Sequence, residues 1–492
     1  MKPASWELST PDWTAVDALA AGRRLVADSR LVEAGDVFLA SPGVQSDGRQ
    51  YIDVAVARGA AAVLWEPEGF VWPAHVSVPN LAVPGLTALT GIVLGHVLGN
   101  PGEQLWTVGV TGTNGKTSTA HWLAQAFTAL GKPTALLGTL GYGLLDQLEE
   151  PTHTTPPALA MQPLLRKFVD AGATHLAMEV SSHALEQGRA HGVCFDVALF
   201  TNLTLDHLDY HGTMAAYGEA KARLFQWEGL KAAVINADDA FGAELLKRGG
   251  SARFVGYGLE QGDIRATSLQ LGIDGVRMEV DTPWGKGLIQ SSLIGRFNAY
   301  NLLGCLGVLL VSDVPLDIAC ATLSSIRSAV GRMDRLGGGN QPLVVVDYAH
   351  TPDALEKALE TLRETLAGEQ KLLCVFGCGG DRDRSKRPVM GELACRLADQ
   401  AFVTSDNPRT EQPDAIIADI LAGVPADVSP HVNADRAEAI AAAIAAARAG
   451  DIVLIAGKGH EAYQDVAGVK RHFSDHEETI KALKIWAEVH HV

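Results

Sequence analysis

The sequence predicts an α/β protein of three domains. Three observations carry that reading. The chain has 492 residues, too many for one ordinary core. Strand-like apolar runs alternate with helical stretches, which implies mainly parallel sheets covered on both faces. The alternation restarts after the glycine-rich "GRMDRLGGGN" (331–340), so a smaller leading region is followed by two doubly wound patterns.

The first domain is expected over 1–102. Its short runs "DVFLA" and "AAVLW" stand between Gly/Pro turns, and "LTGIVLGHVLG" (89–99) is too short to span a bilayer and reads as a buried helix. "GNPGEQ" reads as a linker around Pro101 and Gly102. The second domain, 103–333, opens on the strand pattern "LWTVGV" and continues through "TALLG", "THLAMEV", "DVALF" and "AAVIN". Between them "STAHWLAQAFTALG" is helical, with Gly131 as its stop. The third, 334–492, repeats the logic through "PLVVVD", "KLLCVFG", "QAFVTS" and "DIVLIAG". In such sheets chemistry gathers at the carboxyl ends of strands.

Composition narrows the classes. Hydrophobic residues make up 47% and charged residues 20%, as in a soluble globular chain. A formal charge of −17 speaks against a nucleic-acid partner, which needs a basic footprint. It does not speak against a nucleotide, which backbone amides hold whatever the global charge. "MKPASWELST" lacks an apolar signal core, and no apolar run of about 18 residues occurs, so neither export nor membrane insertion is expected. Six cysteines without zinc spacing read as buried reduced thiols in a cytoplasmic protein, expected to be a monomer.

The sharpest motif is "TVGVTGTNGKTS" (107–118). A strand feeds the turn Gly112-Thr113-Asn114-Gly115, and Lys116, Thr117 and Ser118 open a helix. Glycines let the backbone curl around phosphate oxygens, and the helix start adds partial positive charge. Lys116 then reaches the β/γ-phosphates of a nucleotide, and the Thr117 hydroxyl ligates Mg²⁺. Val110 holds the first glycine position of the usual pattern, a small departure. Glu179, ending "THLAMEV", stands where a metal-binding carboxylate belongs, although strand-end carboxylates are often only solvated. Asp206, His207, Asp209 and His211 in "TLDHLDYHG" suit either Mg²⁺ or a satisfied loop network. In "AFVTSDNPRT" (401–410), Arg409 follows the rigid Pro408, which suits a solvated loop or a guanidinium fixed in place.

"TGTNGKTS", "MEVSSH", "TNLTLDHLDYHG", "KARLF", "GRFNAYN", "VVVDYAHTPDAL", "FGCGGDRDRSKRP", "TSDNPR" and "AGKGHE" occur in one order. Together they resemble the Mur ligases, ATP-dependent amide-bond ligases of peptidoglycan precursor synthesis. Single motifs recur in folylpolyglutamate synthases. The full set, "DNPR" above all, is similar to the branch adding meso-diaminopimelate to UDP-N-acetylmuramoyl-L-alanyl-D-glutamate through an acyl phosphate. The resemblance implies a UDP-sugar-binding N-terminal α/β domain, a central P-loop ATPase-like domain with a parallel sheet, and a Rossmann-like C-terminal domain that binds the amino acid.

Residue by residue, it implies that ATP meets Gly112 through Ser118 together with Asn298, Arg332 and Asp347. The nucleotide-sugar peptide meets Ala27, Ser29, Val44, Gln45, Ser46, His153, Thr154, Thr155, Ser181, Gln187 and Arg189. Val44 stands where a histidine is expected, which leaves a backbone contact there. Lys116, Glu179, His207 and Lys221 are the implied catalytic set. Lys221 matches a lysine carried as a carbamate (N6-carboxylysine), which joins Thr117, Glu179 and His207 around Mg²⁺. Diaminopimelate is implied to lie among Arg382, Asp406, Asn407, Pro408, Arg409, Gly457 and Glu461. A guanidinium fork fits a carboxylate in two parallel hydrogen bonds, and diaminopimelate has one carboxylate more than lysine.

Overall fold

A computed structural model describes residues 10–43 and 46–491. The chain separates into two compact units, Met1–Gly256 and Tyr257–Val492. It is α/β throughout, as expected.

The first unit begins with a four-stranded parallel sheet in the order Leu25–Val26, Val37–Ala40, Ala62–Trp65, Asn80–Ala82. Alternate residues of one strand serve opposite faces, as a period of two requires. Val37 and Leu39 pack with Leu86, Leu89 and Val93, whereas Phe38 and Ala40 pack with Ile52 and Ala55. Helix Leu86–Val97 is the buried helix anticipated at 89–99. Gly91 lets it approach the next segment closely: a Cβ there would lie 2.1 Å from the His191 carbonyl oxygen.

The same unit holds strands in the order Ala232–Asn236, Val197–Phe200, Trp106–Thr111, His175–Glu179, Thr134–Gly138, Gly141–Leu144. All pairings are parallel except the last. Trp106–Thr111 is flanked in register by Val110↔Glu179 and Thr111↔Phe200. Three strands therefore end side by side, and the loops leaving them carry the phosphate motif, Glu179 and the "TNLTLDH" segment.

The second unit opens with a feature the sequence reading did not include. Strands Ile264–Gly272, Gly275–Thr282 and Gly285–Ser291 run antiparallel. Their alternation is visible in the chain: Val276, Met278 and Val280 are buried while Arg277 and Glu279 are exposed. One wetted face is what an antiparallel sheet permits. The largely buried helix Arg296–Val311 follows, then Leu316–Ser324.

A six-stranded sheet completes the unit, ordered Asp334–Gly337, Leu343–Asp347, Ile452–Ala456, Leu372–Phe376, Gln400–Val403, His431–Val432. It is doubly wound. Leu343 and Val345 face Leu355, Leu359 and Leu362 of one helical layer, and Val344 and Val346 face Ile440, Ile444 and Trp486 of the other. A hairpin, Tyr463–Val466 with Val469–His472, forms a sheet of its own.

Arg436 and Asp475 are both fully buried and paired at 2.7 Å. Arg436 also donates to the carbonyls of Ser405 and Ala456, so one guanidinium ties together the ends of two strands that flank Leu372–Phe376. The cysteines are all unbonded, and four are buried as expected. Cys194 is exposed and departs from that reading. Among the described residues no helix is long and apolar enough to cross a membrane.

Candidate active site

In the first unit, strand Trp106–Thr111 leads into the glycine turn and helix Lys116–Ala129 leaves it. Gly112 has φ 148°, and a Cβ on it would fall 1.9 Å from Thr201 Oγ1. Gly115 has φ 84°. Both values favour glycine. The turn is braced by the segment after Val197–Phe200. The Thr113 and Asn114 N–H groups donate to Asn202, and Thr201 Oγ1 donates to the Asn114 carbonyl at 2.6 Å. Thr113 Oγ1 lies 3.2 Å from Tyr217 Oη. Thr201, Asn202, Tyr217 and Thr204, whose hydroxyl accepts from Asn114 Nδ2 at 3.2 Å, were not among the sequence candidates; they come from distant stretches and shape the cradle from outside. The amides starting the helix, Ser118 among them, have no acceptor within an α-helix, and partial positive charge gathers there.

Lys116 Nζ donates to the carbonyls of Gly112 and Thr113 at 2.9 and 2.8 Å. Thr117 Oγ1 donates to Glu179 Oε2 at 2.9 Å. Glu179 is buried and also accepts from Thr139 N–H at 2.7 Å. Gly138 makes room for it, since a Cβ there would lie 2.2 Å from Oε1. Two hard oxygen donors side by side fit Mg²⁺. Lys221 is 1% exposed and donates to the Gly112 carbonyl at 2.8 Å. Burial, then the charge of Lys116, push its pKa well below the ordinary 10.5. A neutral buried amine is the form that reacts with CO₂, which suits carbamate formation.

His207 is exposed, with φ 52°, and its Nε2 lies 3.4 Å from Asp206. It meets His183 and Tyr217 edge-on. Among the described residues no group of three or more His, Cys, Asp or Glu is arranged to hold a metal. His211 is tied elsewhere, to Ser182 Oγ at 2.9 Å and to Glu186 at 3.1 Å.

The substrate candidates of this unit fall into two groups. Ala27 and Ser29 follow the first strand of the four-stranded sheet, and Ser46 follows the second, so adjacent strand ends bring them together. Val44 and Gln45 lie outside the described residues. In the second group Thr155 Oγ1 donates to the Glu179 carbonyl and accepts from Ser181 N–H. Its hydroxyl is occupied within the protein. Ser181 caps helix Ser182–Glu186. Arg189 donates to Gln187 Oε1 at 2.8 Å and to the Thr155 carbonyl at 3.1 Å, and Gln187 donates to Tyr210. Burial lowers the pKa of Arg189. Thr154 Oγ1 lies 3.2 Å from Thr139 Oγ1, and the exposed His153 is held through its backbone by Tyr142 Oη. Tyr142 is another residue that sequence reasoning missed.

In the second unit Arg332 lies over the Tyr348 ring at 5.0 Å, and its buried Nε has no hydrogen-bond partner. Asp347 accepts from Met333 N–H at 2.8 Å, and burial raises its carboxyl pKa. A Cβ on Gly331 would lie 2.2 Å from Gly459, so the "GRM" turn sits directly on "GKGHE". Asn298 is buried, donating to the Ile294 carbonyl and accepting from Asn301. Its amide is engaged by its own helix and by the residue leading into it.

"DNPR" and "GKGHE" leave neighbouring parts of the six-stranded sheet and interlock. Asn407 Nδ2 donates to Glu461 at 2.7 Å, and Lys458 Nζ, fully buried, donates to Asn407 Oδ1 at 3.1 Å and Glu461 at 3.2 Å. Asn407 is thus chiefly a link between the two loops. Asp406 stands over Gly457, where a Cβ would fall 2.5 Å from its Oδ2. Pro408 is buried. Arg409 Nη1 donates to the Gly380 carbonyl at 2.7 Å. Gly379 lies between Arg409 and Arg382: its Cβ would be 2.9 Å from Arg409 Nη1 and 3.8 Å from Arg382 Cγ. The Arg409 guanidinium and the Arg382 stem therefore adjoin one glycine, with Arg382 Nη1 donating to the Asp381 carbonyl at 3.2 Å and Glu461 held nearby by the Asn407 link. Such a set can bind an amino acid with two acidic ends.

The chain matches three family models: "Mur ligase family, catalytic domain" over residues 24–90, "Mur ligase middle domain" over 110–309, and "Mur ligase, glutamate ligase domain" over 331–459. It is 55% identical over 484 residues to the UDP-N-acetylmuramoyl-L-alanyl-D-glutamate--2,6-diaminopimelate ligase of Chromobacterium violaceum, covering 97% of this chain and 98% of that one. A solved structure bearing the same enzyme name matches with a TM-score of 0.73 and 38% identity over 95% of each chain. The MurF ligase of Thermotoga maritima in complex with ADP shares the fold, with a TM-score of 0.60 at 20% identity over 96% of this chain and 99% of that one.

Proposed function

The chain belongs to the Mur ligase family, and from that premise we propose that it adds meso-diaminopimelate to UDP-N-acetylmuramoyl-L-alanyl-D-glutamate in peptidoglycan precursor synthesis, consuming ATP and releasing ADP and phosphate. A carboxylate resists amines because oxide is a poor leaving group. Once it accepts the γ-phosphoryl group it is an acyl phosphate; the diaminopimelate amine then forms the amide bond and phosphate leaves. Lys116 and the helix start neutralise charge that develops on the transferring group. Mg²⁺, held by Thr117 and Glu179 with His207 and carbamylated Lys221 joining, would supply further neutralisation when bound. Ala27, Ser29, Ser46, Thr154, Ser181, Gln187 and Arg189 are assigned to orienting the nucleotide-sugar peptide, and Arg332 and Asp347 to ATP binding.

The observation supporting diaminopimelate over lysine is the convergence of Arg382 and Arg409 at Gly379. Lysine lacks the second carboxylate and would forgo the charge-assisted hydrogen bonds that a carboxylate makes to these guanidinium groups. The division into 1–102, 103–333 and 334–492 belongs to this reading and is supported by the three matched segments. So do a cytoplasmic location and a monomeric state. The test is phosphate release from ATP by the pure protein. Release that requires both the nucleotide precursor and diaminopimelate supports the ligase. Release with ATP alone at the same rate contradicts it.

A further inference from the structure

We propose that the hairpin Tyr463–His472 is a positioning element for amino-acid selectivity, acting on Arg409 through Gln464 and the strand edge beside it. This rests on the ligase reading above. Arg409 has φ 51°, in the left-handed region that residues with a Cβ rarely adopt. Such a conformation persists only where the surroundings hold it.

The hairpin holds it from both sides. The Arg409 N–H donates to the Asp465 carbonyl at 3.0 Å, and the Ala467 N–H donates to the Arg409 carbonyl at 2.7 Å. Arg409 and Val466 form a parallel bridge. The same edge reaches the preceding residues. Gln464 Nε2 donates to the Asp406 carbonyl at 2.7 Å and to Ser405 Oγ at 3.1 Å, and the Asp465 N–H donates to Asn407 Oδ1 at 2.9 Å. Ser405, Asp406, Asn407 and Arg409 are thus fastened to one strand.

The hairpin has little else to do. All four residues of its outer strand, Val469–His472, are exposed. Its turn, Ala467 and Gly468 at φ 54° and 79°, is of the kind that closes tight two-residue hairpins. A lone two-stranded ribbon is marginal in water, so ribbon and loop stabilise each other. Their joint product is the aim of the Arg409 guanidinium at Gly379 and Gly380.

Two variants of the full chain test this away from the substrate. Gly468→Val strains the turn without a clash, since nothing lies within 4 Å of that position. Gln464→Leu removes both side-chain donations. Each is expected to raise KM for meso-diaminopimelate about tenfold and to lower its kcat/KM advantage over lysine. KM for ATP and Tm should hold, and Ala467→Asn, which tolerates a positive φ, should keep wild-type selectivity. Variants with wild-type KM and selectivity overturn the proposal, as do variants that lose ATP and amino-acid binding together with Tm. If the wild-type chain itself prefers lysine, the substrate reading fails instead. The hairpin variants must then shift KM for lysine for the positioning role to stand.

Discussion

The ammonium nitrogens of Lys116 and Lys221 share one acceptor: both donate to the Gly112 carbonyl, at 2.9 and 2.8 Å. Two cations that close repel, and the buried one yields first. Lys221, depressed well below 10.5 by burial and by Lys116, is the one poised to add CO₂ and become an anion. Labelled bicarbonate is therefore expected to give a carbamate carbon signal in wild type and none in Lys221→Ala. That variant should also lose about a hundredfold in kcat, the scale of removing one preorganised electrostatic group.

Gly112→Ala tests the cradle. Its Cβ would meet Thr201 Oγ1 at 1.9 Å on a backbone at φ 148°. Calorimetry is expected to show ATP binding lost while circular dichroism remains that of a folded α/β chain. Tight ATP binding by this variant would contradict the placement of phosphate there.

How much of this was legible beforehand depends on where each signal lies. The cradle was readable because strand, glycines, Lys116 and Thr117 are contiguous, and Glu179 because it ends a strand. Tyr142, Thr201, Lys458 and Gln464 were not, because their roles arise from contacts between distant segments. Thr155, Asn298 and Asn407 teach the converse. A sequence shows that a side chain is polar, but not that its hydrogen bonds are spent inside the protein. The antiparallel strands at 264–291 carry a plain alternation, which a search centred on parallel, fully buried runs passes over.

His121, on the helix leaving the cradle, is held at about 4 by burial, against an ordinary 6.5. Between those values the unfolded chain binds a proton that the folded chain does not, so stability falls as pH drops from 6.5 towards 4. His121→Gln should flatten the fall of unfolding free energy across that window in urea titrations. An unchanged slope would contradict the assignment.

The central claim is that Arg409 reads a second carboxylate on the incoming amino acid. The direct measurement is product mass spectrometry with meso-diaminopimelate and lysine in competition, for wild type and Arg409→Ala. Wild type is expected to yield almost only the diaminopimelate product, and the variant to lose about a hundredfold of that preference while still binding ATP. A wild-type chain that joins lysine as readily, or a variant whose preference is unchanged, would contradict it.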